Sequence, residues 1–344
     1  MSPRQITHRY QDPLDLVWLR AAERLGMRIE RSASVYASWD GKRTLTLADA
    51  LDFDPDDSLA QLIFHEICHA LVAGPALRAE PDWGLSNTSD RDLVFEHACH
   101  RLQATLARPY GLRDFFAVTT EWRDYWDALP DDPLAECDDP ALPKARRALM
   151  QAEAEPWASV LADALGATAQ LAEIARTAAP ADSLWRRTRA RHSSGFLAHE
   201  SNELRCGDCA WSHLRGKKLG CRQCERVGRN ERRVEPSTPA CEHWEPRLDE
   251  SSCKSCGACC REGFDRVELR RGDPLRKKHP ELVREDQWGV FVPRPGGRCL
   301  ALVGDGERAA FRCSVYADRP RSCGEFEIAG AACLVARRRV GLSS

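Results

Sequence analysis

Thirteen of the 16 cysteines in this chain of 344 residues lie between Cys206 and Cys333, and this clustering constrains the fold more than any other feature. Many of these cysteines form Cys-x-x-Cys pairs. Where thiols stay reduced, such pairs are typical of metal sites rather than of disulfides. We therefore expect the C-terminal half of the chain to be held together by thiolate-bound metal.

The cellular compartment is predicted from the N-terminal sequence and from the charge. Residues 1–15 have no apolar core of a signal peptide, and no run of about 18 apolar residues could span a bilayer. We therefore expect a cytoplasmic protein that does not bind membranes. Residues 201–344 carry 28 basic and 21 acidic side chains. Nucleic acid is nevertheless an unlikely partner, because four thiolates around one zinc ion add a charge of −2.

Hydrophobic patterning predicts a first domain, residues 1–195, that is α+β and mostly helical. Apolar residues alternate from Met27 to Trp39 as in a half-buried strand, and Asp40-Gly41 precedes a return strand, so we expect a small β-hairpin. The strongest predicted helix begins near an Asp54 cap and stops at Gly74-Pro75. Further helices are expected from Ser89 to about Ala107 and within 142–177.

The first predicted helix carries the run His65-Glu66-Ile67-Cys68-His69. Histidines four residues apart share a helix face with their Cβ atoms about 6 Å apart, so both imidazoles can bind one divalent cation. Glu66 lies beside that face, where its carboxylate can act as the catalytic base without being a ligand. Cys68 is expected to pack within the helix.

A catalytic metal needs a third protein ligand and an open coordination position. The best candidate for that ligand is Glu96, which lies on the next predicted helix. His100 lies one turn after Glu96 and could contact the ligand or replace it. His97 points away from that face, and we expect it on the surface.

The segment from Phe64 to Ala104 resembles the elongation factor P hydroxylase family. The resemblance rests on the histidine motif and on Ala73-Gly74, Arg78, Asp82-x-Gly84, Asp92, Phe95-Glu96, Arg101 and Gln103-Ala104. It implies a metal held by His65, His69 and Glu96 and an Fe(II)-dependent hydroxylase activity, for which we expect a protein or peptide substrate. Asp82 is a further candidate to contact the metal ligands. This chain has Cys99 where the family pattern has a further acidic residue.

The same ligand set is similar to that of gluzincin peptidases, so two reactions and one non-catalytic role stay open. With zinc, Glu66 would take a proton from water, and the reaction would be hydrolysis of a peptide. The strand edge of the hairpin could hold that peptide in an extended conformation. With Fe(II), the two-histidine, one-carboxylate set leaves positions for dioxygen and substrate. A metal-binding protein without activity is the third possibility.

Residues 196–250 are predicted to form a small metal-binding module that has little hydrophobic core. The pairs Cys206-x-x-Cys209 and Cys221-x-x-Cys224 are 11 residues apart, a spacing typical of zinc knuckles. Cys241 is left over and could replace one member of the second pair. A module of this size relies on its metal to fold.

Residues 251–344 carry eight more cysteines, enough for two four-thiolate sites. Adjacent thiolates at Cys259 and Cys260 point in different directions and suit two neighbouring centres. The segment resembles the CxxCxxCC family of cysteine-cluster proteins, through Cys256-Gly257-x-Cys259-Cys260, Gly297-x-Cys299 and Cys313 to Pro320. The resemblance implies that this segment binds metal, either zinc or the iron of an iron-sulfur cluster. The eight candidate ligands are Cys253, Cys256, Cys259, Cys260, Cys299, Cys313, Cys323 and Cys333.

The fusion of the two halves suggests two relationships between them. An iron-sulfur cluster in the second half could be the electron donor of an Fe(II) enzyme in the first half. Alternatively, a zinc-stabilised second half could recognise a protein substrate.

Overall fold

The computed structural model describes residues 7–86, 90–120, 122–228, 234–261 and 265–343. The chain divides into two compact units, residues 1–191 and residues 192–344. Both contain helices and small sheets, in agreement with the predicted α+β class. The further division predicted at residue 250 stays a prediction.

The helices of the N-terminal unit account for most of its regular structure. The predicted helices within 142–177 are confirmed as two helices. The helices are α1 (Pro13–Arg24), α2 (Leu59–Leu77), α3 (Leu93–Ala107), α4 (Arg123–Asp127), α5 (Leu142–Ala152) and α6 (Trp157–Ala178), and the strands are β1 (Arg28–Ser32), β2 (Ala37–Trp39) and β3 (Thr44–Ala48).

The three strands form one mixed sheet in the order β1-β3-β2. The predicted hairpin is confirmed as β2 and β3, which pair antiparallel across a turn whose backbone amides donate to the Asp40 carboxylate. The single strand predicted over 27–39 is wrong, because the chain bends after β1, and β1 pairs parallel with the far side of β3. Alternating burial shows which side chains face the core, and it does not show where a strand bends.

Helix α2 begins at Leu59, four residues later than the Asp54 cap predicts. Ser58 is the actual cap, since its hydroxyl accepts a hydrogen bond from the backbone N–H of Gln61 at 3.2 Å. Asp54 instead begins a turn in which its backbone N–H donates to the carboxylate of Asp57. The helix breaks at Gly74 as predicted, where φ is +74°. The predicted start of the next helix at Ser89 lies outside the described residues.

Helix α2 is the central helix of this unit. It is long and apolar enough to pass a test for a membrane span, yet 72% of that stretch is buried within the structure, as expected for a core helix. Phe64 packs against Trp18 of α1, with ring centroids 5.0 Å apart, and the Trp18 indole donates to Thr168 of α6 at 3.0 Å. The position of α2 is therefore fixed by buried contacts with other helices.

The second unit consists of short elements with small apolar clusters. One cluster contains Leu275, Val292 and Leu302, and another contains Trp211 and Leu334. The elements are β4 (Ser212–Arg215), β5 (Lys218–Cys221), α7 (Arg222–Arg226), α8 (Cys253–Cys256), β6 (Val267–Glu268), α9 (Leu275–Lys278), β7 (Arg284–Asp286), β8 (Gly289–Val292), β9 (Leu302–Val303), β10 (Arg312–Cys313), α10 (Arg321–Gly324) and α11 (Ala331–Arg339). The strands form a β4-β5 hairpin, a β6-β8-β7 sheet and a β9-β10 pair.

Two leucine-to-alanine variants test whether β3 belongs to the core of the N-terminal unit. Leu45 is 0% exposed and Leu51 is 98% exposed. We expect Leu45→Ala to lower the free energy of unfolding by about 2–5 kcal/mol, because it leaves a cavity. Leu51→Ala should change it by less than about 0.5 kcal/mol. Hydrogen exchange of the α2 amides measures unfolding of this unit alone, and equal effects of the two variants would contradict the packing described above.

Candidate metal centres

Helices α2 and α3 bring two imidazoles and one carboxylate together. The Nε2 atoms of His65 and His69 lie 3.0 Å apart, and each lies 3.2 Å from a different oxygen of Glu96. The two histidines lie one turn apart on α2, whereas Glu96 comes from the first turn of α3. The three predicted ligands therefore meet at one point, with donor atoms that suit a divalent cation.

Hydrogen bonds orient the His65 ring. The amide of Gln103 donates to the backbone carbonyl of Phe116 at 2.6 Å, which leaves its oxygen to accept from His65 Nδ1 at 3.0 Å. In the neutral ring, the form that binds metal, Nδ1 of His65 therefore carries the proton and Nε2 presents its lone pair to the site. This role of Gln103 was not predicted, although Gln103 is part of the resemblance described above.

The second imidazole contacts a buried thiol. Cys99 Sγ lies 3.2 Å from His69 Nδ1, on the side of the ring that faces away from Glu96. Burial raises the pKa of the Cys99 thiol well above its usual value, so the sulfur is neutral. The residue at which this chain departs from the family pattern therefore supports a predicted ligand.

The electrostatics of the site favour a cation beside Glu96. Burial raises the pKa of Glu96, but the imidazoles of His69 and His65 outweigh burial and hold this pKa far below its usual range. Burial lowers the pKa of His65, but the charge and hydrogen bond of Glu96 outweigh burial and raise it to about 9. The ionised carboxylate of Glu96 is thus partly withdrawn from solvent and favours a positive charge next to it.

His100 lies close enough to be a ligand or a hydrogen-bond partner. Its Nε2 atom is 3.0 Å from Glu96 Oε1, and donor atoms of His65, Glu96 and His100 lie within 4.8 Å of one another. Burial lowers the pKa of His100 to about 4, so the ring is neutral. Both roles predicted for His100 remain compatible with this geometry. His97, predicted to lie on the surface, is half-buried and stacks on Tyr125 with ring centroids 3.6 Å apart.

The three donor groups open into a cleft of about 550 Å³ that Glu66 also lines. Glu66 is buried, and its Oε2 atom accepts a hydrogen bond from the Trp83 indole at 2.8 Å. Trp83 stacks on Trp39 of β2 with centroids 4.6 Å apart. Asp82 accepts from the Trp39 backbone N–H at 3.0 Å, so it contacts the strand at the wall of the cleft. Sequence analysis did not predict this role of Trp83.

Four cysteines of the middle segment, residues 192–250, line one small cavity in the second unit. These are Cys206, Cys209, Cys221 and Cys241. Cys224, the other member of the second pair, is buried but is not part of the lining. His192 also lines the cavity, and sequence reasoning missed it because it precedes the predicted module.

Most electrostatic interactions among the eight cysteines of residues 251–344 run within two sets, and Cys259 also interacts with Cys260 and Cys323 of the other set. Cys259 belongs to one set and Cys260 to the other, and their side chains hydrogen bond to each other. The arrangement is compatible with two neighbouring four-thiolate centres, which stay a prediction. The sets are Cys253, Cys256, Cys259 and Cys333, and Cys260, Cys299, Cys313 and Cys323.

Comparison with known families bears on the second unit. A model named CxxCxxCC, described as "Putative zinc- or iron-chelating domain", matches residues 252–338. No curated protein and no solved structure matches the chain. The second unit therefore contains a metal-chelating cysteine domain. The resemblance of the N-terminal segment to elongation factor P hydroxylases stays a sequence-based prediction.

Replacing Glu96 tests whether the N-terminal donors bind a metal. We expect Glu96→Gln to lower the affinity for Co(II) by at least about 100-fold. Loss of a residue that only hydrogen bonds to a metal ligand typically lowers metal affinity by about 10–100-fold, and here a charged ligand itself is lost. Paramagnetically shifted imidazole N–H signals in NMR report this site separately from the cysteine sites. Glu23→Gln is the control, since Glu23 pairs with Arg20 on the surface and does not line the cleft. Equal affinity in both variants would exclude Glu96 as a ligand.

Proposed function

We propose that the N-terminal unit is a metal-dependent enzyme that acts on a protein or peptide segment bound in its cleft. The observation that carries this proposal is the meeting of His65, His69 and Glu96 at the wall of the cleft that Glu66 also lines. The donor set fits Fe(II) and zinc. Bound there, iron would activate dioxygen, whereas zinc would lower the pKa of a water molecule to about 7.

The protein side chains position the cation and move the proton. Gln103 and Cys99 fix the two imidazole rings from behind, so their Nε2 atoms stay directed at Glu96. Glu66 is held by Trp83 at the cleft, where its free oxygen can take a proton from a reactant. Each of these contacts restricts a catalytic group to one orientation before substrate binds.

The preferred reaction is Fe(II)-dependent hydroxylation of a protein or peptide. Two histidines and one carboxylate with open positions are typical of non-haem Fe(II) oxygenases. The resemblance of residues 64–104 to the elongation factor P hydroxylase family supports this choice. In this case a metal centre in the second unit could serve as the electron donor.

Zinc-dependent peptide hydrolysis is the second candidate, and the outer edge of β2 at Ala37 favours it, whereas the Trp39 end of that edge donates to Asp82. The backbone of Tyr36 is hydrogen bonded to Ala48, and the backbone of Asp40 is hydrogen bonded to Thr44. In an antiparallel pair every second residue bonds to the partner strand, so the backbone N–H and C=O groups of Ala37 point away from β3. Ala37 lines the cleft. An extended peptide could therefore pair with this edge beside Glu66.

Glu66→Gln separates an enzyme from a metal-binding protein without activity. We expect the variant to keep its metal and to lose turnover by roughly 10²–10⁴-fold, since the amide cannot take a proton. The measurement is metal content per chain together with modification of a proteome-derived peptide library. Glu80→Gln is the control, because Glu80 is exposed and does not line the cleft. If Glu66→Gln turned over the library like the unaltered protein, the proposed role of Glu66 would be wrong.

The products distinguish the two reactions. An Fe(II)-loaded hydroxylase supplied with a chemical reductant should add one oxygen atom of dioxygen to library peptides and reduce the other atom to water, so in ¹⁸O₂ the added atom should be ¹⁸O. A zinc-loaded peptidase should create new peptide termini without dioxygen and should take ¹⁸O from labelled water. Mass spectrometry reads both, and an absence of both products in metal-loaded protein would leave the non-catalytic alternative.

A further inference from the structure

We propose that the middle segment holds a separate metal centre whose four ligands are the thiolates of Cys206, Cys209, Cys221 and Cys241, with Cys224 excluded. This ligand set differs from the two intact Cys-x-x-Cys pairs that the sequence favours. The centre is independent of the proposed enzyme. Its cation is thiophilic, either one zinc ion or the iron of an iron-sulfur cluster.

Backbone hydrogen bonds bring three distant pieces of chain to this centre. Cys206 donates its backbone N–H to Thr238 at 2.9 Å, which attaches the first pair to the segment that leads to Cys241. Cys241 itself pairs with Ala198 in a β-bridge. Cys221 ends β5, where it lies opposite Ser212 of β4. The main chain therefore gathers these thiols from all parts of the segment.

The cavity between the thiols has a volume of about 10 Å³, close to the space that one water molecule occupies. Cys206, Cys209 and Cys241 are buried, and Cys221 is partly buried. Neutral thiols are weak hydrogen-bond partners, so four of them around one void leave a poorly satisfied interior. A cation in the same space would be bound by the four thiolates, and its binding would supply folding free energy that a small module lacks.

Cys224 has a different environment although it is only 2% exposed. Its side chain hydrogen bonds to Cys221 and to the hydroxyl of Ser194, and it does not line the cavity. A thiol in this position can donate its S–H to a ligand sulfur from outside the centre. The second Cys-x-x-Cys pair therefore contributes one ligand, Cys221, and Cys241 supplies the fourth ligand. The sequence had left open that Cys241 replaces one member of this pair.

His192 supports the centre as a positioning residue. The backbone N–H of Ser194 donates to His192 Nδ1 at 3.0 Å, so in the neutral ring the proton lies on Nε2. Nε2 is 3.3 Å from Cys206 Sγ and can donate to it, and the His192 ring also hydrogen bonds to the backbone of Pro239. An N–H donor that is directed at sulfur stabilises the thiolate form, which is the form that binds metal.

A matched pair of variants in the full chain tests the ligand set. Cys241→Ser and Cys224→Ser each replace the sulfur atom of one buried cysteine with oxygen. Zinc, iron and acid-labile sulfide are measured per chain in protein prepared without oxygen. We expect Cys241→Ser to lose one zinc, or the iron and sulfide of one cluster together, whereas Cys224→Ser keeps the full content. Loss in Cys224→Ser with retention in Cys241→Ser, or loss in neither variant, overturns the proposal.

A measurement on the unaltered protein covers the case in which Cys241→Ser does not fold. Anomalous scattering from crystals, recorded at the zinc and iron edges, should place a metal within bonding distance of Cys241 Sγ and not of Cys224 Sγ. Metal bound to Cys224 instead, or no metal among these thiols, overturns the ligand set.

Two replacements of His192 test its supporting role. His192→Phe should release the metal to a chelator about 10–100-fold faster, because the donor to Cys206 is lost. His192→Gln keeps a donor and should restore slow release. Equal rates in both variants would show that His192 only fills space.

Discussion

The partly buried carboxylate of Glu96 at the crossing of α2 and α3 is the constraint on which the N-terminal unit depends. A buried charge is costly unless opposite charge and hydrogen bonds compensate it. His65 and His69 provide that compensation, and they can do so only if the two helices cross where the three side chains meet. The apolar contacts of Trp18 and Phe64 hold α2 in this position. Packing and site chemistry therefore support each other.

The second unit solves a different physical problem. Its elements are short and its apolar clusters are small, so burial of hydrophobic surface contributes less to its stability than in the first unit. Thiolate-bound metal can replace part of that missing core. The match of residues 252–338 to a metal-chelating family agrees with this view. In the middle segment, the cavity lined by four thiols is the corresponding structural feature.

Several elements were predictable because local sequence determines them. The hairpin turn at Asp40 follows from side-chain hydrogen bonds to nearby backbone amides, and the break of α2 at Gly74 follows from a glycine that adopts a positive φ. The start of α2 was misplaced because Asp54 and Ser58 can both cap a helix, and local sequence does not decide between them. The bend after β1 was missed because its cause is a strand that follows later in the chain.

The sequence by itself determined the donor types and their spacing: two histidines one helical turn apart, a later glutamate and a crowded set of cysteines. Only the tertiary structure decided which groups meet. It brought Gln103 and Cys99 behind the imidazoles, placed Glu66 against Trp83, and set Cys241 rather than Cys224 beside the first cysteine pair. The physical reason is that helix geometry alone determines the spacing of two ligands on one helix. The residues that contact these ligands come from other segments, whose positions depend on the packing of the whole unit.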